Sequence, residues 1–124
     1  MGDLSRDFSR SEFRCKCGCG KDDVSMDLVV QLQRLRSLLR RPVIVTSGVR
    51  CEAYNAQVGG KPDSAHLTGE AADIACKDSR TRWEMKRCVY GWTLFSRIGT
   101  GETFLHFDIS KTLPQEVEWT YPED

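Results

Sequence analysis

Ser64–Ala75 reads SAHLTGEAADIA, with His66, Gly69 and Asp73 set among small residues and a single isoleucine, in a chain that has only two histidines. Successive side chains of a strand point to opposite faces, so alternation predicts a strand over EAADIAC (70–76). Ala72, Ile74 and Cys76 then face the core, while Ala71, Asp73 and Ala75 share the other side. TFLHFDI (103–109) alternates likewise, with Leu105, Phe107 and Ile109 on an apolar face and Phe104, His106 and Asp108 opposite. If the two strands are neighbours in one sheet, Asp73 and His106 stand about 5 Å apart between Cβ atoms, close enough to share a metal ion.

On an uninterrupted strand His66 would lie on the wrong face and about 20 Å from Asp73. A turn at Thr68-Gly69 folds the His66 loop back over the sheet instead, bringing two imidazoles and one carboxylate to a point. With an open fourth position that set is a catalytic zinc shell, in which water becomes a nucleophile near neutral pH. Asp108 reads equally as a hydrogen-bonded support for His106 and as an acid at a strand end or helix cap.

The rest of the chain supplies a frame. SMDLVVQLQRLRSLLR (25–40) carries Leu28, Leu32, Leu35 and Leu39 in an apolar stripe widened by Val29 and Leu38, which predicts an amphipathic helix. Ser25 is its expected N-cap, Asp27 suits its first turn and Pro42 stops it; Arg34, Arg36, Arg40 and Arg41 form its solvated side. PVIVTS (42–47) reads as a buried strand, EAYNAQVGG (52–60) as a short helical turn and KPDS (61–64) as a loop. SRTRWEMKRCVYGW (79–92) predicts a helix capped by Ser79, with Trp83, Val89 and Tyr90 turned inward. SRIGTGETFLHFDIS (96–110) contains two strand pieces broken by Gly99 and Gly101. The expected fold class is α+β: a small antiparallel sheet carrying the metal site, with helices on its other face.

With 124 residues, one domain over 1–124 is expected, the Cys/Gly-rich segment 1–23 forming part of it. Lys+Arg and Asp+Glu balance at 18 each, which argues against nucleic acid as a partner. No apolar run reaches the roughly 20 residues of a membrane span, and MGDLSRDFSRSEF has no apolar centre of a secretory signal. The expectation is a soluble monomer that reaches any target outside the cell through another factor. Of the six cysteines, Cys15, Cys17 and Cys19 lie in CKCGCG, and Cys51, Cys76 and Cys88 are scattered. The C-x-C-x-C spacing differs from the C-x-x-C of structural zinc sites. It leaves open a loop of thiols, a loop pinned by one disulfide, or a metal site completed by Cys51.

The order of motifs resembles the zinc D-alanyl-D-alanine carboxypeptidase family of peptidoglycan peptidases. That group includes the vancomycin-resistance D-Ala-D-Ala dipeptidases and phage L-alanoyl-D-glutamate endolysins, and is related to the hedgehog signalling domain. The family pattern S-G-x-R, then S-x-H-x-x-G-x-A-x-D, then a last His on a strand, is matched by Ser47, Gly48 and Arg50, by Ser64, His66, Gly69, Ala71 and Asp73, and by His106. FSRSEFRCKCGCG (8–20) and LPQEVEWTYP (113–122) look like small phage and bacterial members. The resemblance implies one Zn2+ per chain on His66, Asp73 and His106, with Arg50 gripping or polarising substrate and Ser64 touching substrate or capping the His66 loop. It implies hydrolysis of peptidoglycan stem peptides, as a carboxypeptidase or an endopeptidase. The alternative is a catalytically silent zinc domain that recognises cell-wall or protein ligands. Active relatives often carry an acidic base three residues before the last His, where this chain has Thr103; Glu102 is the candidate base, provided that a bend at residues 99–102 carries it to the metal.

Overall fold

Alternation at Ala71–Ala75 and Phe104–Asp108 produces the two central strands of a five-stranded sheet, β2 and β4. The computed structural model describes residues 2–121, so Pro122, in the closing motif, lies outside the described residues. The other strands are β1 (Val45–Ser47), β3 (Arg97–Thr100) and β5 (Val117–Thr120), in the order β1-β2-β4-β3-β5. Three helices, α1 (Met26–Leu39), α2 (Glu52–Gln57) and α3 (Ser79–Gly91), and two 3-10 turns, Arg10–Phe13 and Ala65–Thr68, complete the α+β fold.

The sheet is antiparallel from β1 to β3, as expected, but mixed as a whole, because β5 pairs parallel with β3. The chain reverses after β4 and crosses beyond β3, so β5 runs in the direction of β3. The apolar face carries Ala72, Ile74, Leu105, Phe107 and Ile98 against Leu28, Val29, Leu32 and Leu35 of α1 and Met85 and Val89 of α3. Phe8 and Phe13 of the N-terminal segment are fully buried in the same core. Among the described residues no helix is long and apolar enough to cross a membrane.

Three local expectations change. In PVIVTS only Val45–Ser47 is strand, and Ile44 is 58% exposed. In α3 the cap is Asp78, whose carboxylate accepts the Thr81 N–H at 2.7 Å, a better acceptor than the Ser79 hydroxyl. Trp83 and Tyr90 turn outward, 58% and 55% exposed, and Met85 joins Val89 in the core, because the face of α3 is set by its packing on α1. Tyr90 donates to Glu118, which also accepts from Lys86 at 2.7 Å, tying α3 to β5.

Gly69 sets the His66 turn. It ends the 3-10 turn at φ +73, and a Cβ there would stand 2.3 Å from the Asp23 carbonyl oxygen. The Gly69 carbonyl in turn accepts the Ser25 N–H at 2.8 Å, docking the start of α1 on this turn. Gly69→Ala should therefore destabilise the protein by about 2 kcal/mol or more in urea unfolding. A loss below about 0.5 kcal/mol would show that the turn relaxes without strain.

Candidate metal centre

Register puts a row of polar side chains across the sheet. Ser47 pairs with Asp73, Asp73 with His106, His106 with Gly99 and Gly99 with Trp119. His66 arrives from the Ala65–Thr68 turn, and Ser64 caps that turn by accepting the His66 N–H at 3.2 Å. The ligand atoms of His66, Asp73 and His106 lie within 4.8 Å of one another, and all three residues are buried. Asp73 Oδ1 is 3.2 Å from His66 Nε2 and 3.0 Å from His106 Nδ1.

The far nitrogen of each ring fixes its tautomer. His66 Nδ1 lies 2.7 Å from the Gly48 carbonyl oxygen, which can only accept, so Nδ1 donates. His106 Nε2 lies 2.6 Å from Asp108 Oδ2. That carboxylate also accepts from Arg97 Nε at 2.8 Å and the Ser110 N–H at 3.1 Å, and its pairing with the guanidinium makes it the acceptor for the ring N–H at Nε2. In their neutral forms the rings thus turn two lone pairs toward a carboxylate oxygen. Three acceptors aimed at one point need a proton or a cation between them, and two imidazoles plus a carboxylate suit zinc.

Titration follows the same contacts. Burial alone would raise the Asp73 carboxyl, but the hydrogen bonds of His106 and His66 hold it well below the usual carboxylate range. Burial pushes His66 below the ordinary 6.5, offset only in part by Asp73. For His106 burial pushes down too, but the bonds to Asp108 and Asp73 outweigh it and raise the ring.

Arg50 is held on three sides. Its Nε donates to Ser47 Oγ at 3.1 Å, Nη1 to Asn55 Oδ1 at 3.1 Å and Nη2 to Asp73 Oδ2 at 3.2 Å. The guanidinium engages one carboxylate oxygen of Asp73 and leaves the other to the imidazoles. Gly60 makes room for this arrangement, since a Cβ there would meet Asn55 Oδ1 at 2.0 Å. Glu102 is not brought in. It is exposed in the β3–β4 turn, outside the His66–Asp73–His106 cluster, where the Gly101 N–H closes the turn on the Phe104 carbonyl at 2.9 Å. Thr103 is exposed beside it.

Four contributors escape a motif reading: Arg97, the Gly48 carbonyl, Trp119 and Tyr121. The Trp119 ring lies 5.4 Å from the His106 ring and 5.0 Å from the Arg97 guanidinium; Tyr121 lies 6.5 Å from His106. Gly99 permits this, because a Cβ there would approach Trp119 Nε1 and Tyr121 Cε2 to 2.7 Å. Period-two spacing of Trp119 and Tyr121, and of Arg97 and Gly99, was the available signal; the parallel pairing that gives it meaning is a tertiary fact.

The family model described as Peptidase M15 matches residues 6–108. No curated protein matches the chain.

The paired histidines predict a pH optimum of stability for chelated protein. His106, raised in the fold, contributes stability that is fully present below 6.5 and lost as pH rises through its folded value. His66, lowered in the fold, contributes stability present above 6.5 and lost as pH falls. Thermal unfolding in chelator should show a maximum near 6.5, and His106→Gln should remove the part of the alkaline decline due to that ring. An alkaline limb identical in the two proteins would contradict the bridging role of His106.

Proposed function

The chain belongs to the peptidase M15 family, whose model covers residues 6–108 of its 124, and we propose that it is a zinc peptidase of peptidoglycan stem peptides, with His66, Asp73 and His106 as the metal ligands. The observation that carries this reading is the convergence of His66 Nε2, His106 Nδ1 and Asp73 Oδ1, with both far ring nitrogens committed as donors. Zinc on this set supplies a Lewis acid that polarises the scissile carbonyl and activates water.

The protein's own groups do the remaining work. Asp108 holds the His106 ring in the ligating tautomer, and Arg97 holds Asp108. Arg50 orients Asp73, and of its five N–H donors three are engaged, leaving two for a substrate carboxylate or carbonyl. Ser64 shapes the His66 turn through its cap, and its hydroxyl proton remains available to substrate. Glu102 is the candidate general base, its carboxylate taking a proton of the attacking water and passing it to the leaving amine, a role that requires the exposed β3–β4 turn to bring it to the metal ligands. The burial of Phe8 and Phe13 with the sheet supports one peptidase domain that includes the N-terminal segment.

Thr103 at the position of the usual acid, with Glu102 exposed beside it, favours a second reading: a silent zinc domain that binds cell-wall or protein ligands. Purified muropeptides separate the two. Zinc-loaded protein should release D-Ala as a carboxypeptidase or expose new amino groups as an endopeptidase, and His66→Ala should abolish either product. Glu102→Gln should cut turnover by about 10²–10⁴-fold, the usual contribution of a positioned proton carrier. Zinc bound without any product would establish the silent domain.

Asp108→Asn keeps the shape but loses the charge behind His106. Zinc affinity, followed by competition with a chromophoric chelator, should fall about 10–100-fold. Unchanged affinity would remove Asp108 from the account.

A further inference from the structure

A second group of soft ligands lies apart from the histidine cluster. Cys15, Cys17, Cys19 and Cys51 bring their sulfurs within 4.8 Å of one another. Cys15 and Cys17 Sγ are 3.5 Å apart, Cys15 and Cys51 3.8 Å, and Cys17 and Cys51 3.6 Å. These separations far exceed the roughly 2.05 Å of a disulfide, and all four cysteines are free. Four sulfurs at about 2.3 Å from one tetrahedral ion are about 3.8 Å from each other, the edge of the tetrahedron. Cysteines around a multi-iron cluster stand farther apart, because several metal and sulfide atoms separate them.

We propose that Cys15, Cys17, Cys19 and Cys51 form a structural tetrathiolate zinc site, additional to the histidine centre. With four protein ligands its coordination is closed, the mark of a structural rather than a catalytic ion.

Local conformation builds the site. Gly18 and Gly20 adopt φ +86 and +88, so the C-x-C-x-C run curls instead of extending and turns its three thiols toward one point. The Cys15 N–H donates to the Lys21 carbonyl at 2.8 Å and closes the loop. Cys51 comes from the start of α2. Its sulfur accepts the Tyr54 N–H at 3.4 Å, and its own N–H donates to Cys15 Sγ at 3.4 Å.

The site would staple positions 36 residues apart and secure the segment that carries Arg50. Gly48 accepts from His66, the Val49 N–H donates to the Phe13 carbonyl at 2.8 Å, and the Arg50 N–H donates to the His66 carbonyl at 3.0 Å. Cys51 is the next residue along, so an ion there locks the N-terminal segment to the wall of the histidine centre.

The test is cobalt and zinc loading of reduced wild-type protein, followed by optical spectra and metal analysis. Cobalt should give the intense thiolate charge-transfer and visible bands of a tetrahedral sulfur site, which the histidine centre does not produce. Zinc should bind at about two equivalents in the wild type and about one in Cys17→Ser/Cys19→Ser or in His66→Ala. Thiol titration of zinc-loaded protein should find the exposed Cys17 and Cys19 unreactive until chelator is added and reactive with it. Absence of the charge-transfer bands, a disulfide within the cluster of the purified protein, or iron as the ion bound there would overturn the assignment. The wild-type cobalt spectrum decides even if the double variant fails to fold.

Discussion

The pairing of β2 with β4 in the register that sets Asp73 opposite His106 is the constraint on which the rest depends. In a sheet with one buried face, a slip of one residue would exchange that face for the other and send Ile74, Leu105 and Phe107 to the polar side. The apolar core therefore enforces the register, and the register places the carboxylate and the imidazole together. Core and site are two faces of one ladder.

Around that pair, a buried line of polar groups runs from Arg50 through Asp73, His106 and Asp108 to Arg97. Burying such groups is expensive, and they are tolerated because Asp73 accepts from Arg50, and Asp108 from Arg97 and the His106 ring, in direct hydrogen bonds. The balance leaves one deficiency, the point where His66, His106 and Asp73 all offer lone pairs. A cation held there would complete the network. Arg50 and Arg97 thus hold in place the two acids that position the metal-facing atoms, the first through Asp73 itself and the second through Asp108 and His106.

The periphery serves the same centre from two sides. β5, parallel to β3 outside the central ladder, brings Trp119 and Tyr121 beside His106 across the bare backbone of Gly99. On the opposite side the N-terminal segment inserts Phe8 and Phe13 into the core and its cysteine loop meets Cys51, one residue beyond Arg50. Segments near both ends of the described residues therefore pack against the walls of the candidate metal centre.

Much of this was legible in the residues alone. Period-two alternation in EAADIAC and TFLHFDI separates core from site, and Gly69 marks the turn that returns His66, because these are local consequences of strand pleat and of the conformations open to glycine. The face presented by α3 was not legible: Trp83 and Tyr90 are as apolar as Met85, and only packing against α1 selects which of them are buried. The parallel placement of β5 and the pairing of Arg97 with Asp108 were likewise beyond local reading, and of the alternatives open for CKCGCG only the fold brings Cys51 to that loop, since each joins residues far apart in the chain. Sequence by itself determined which residue types carry the chemistry and which face of each central strand they occupy. Tertiary structure decided their tautomers, their counter-ions and the second gathering of thiols, because hydrogen bonds and ligand spacings exist only once distant segments are packed together.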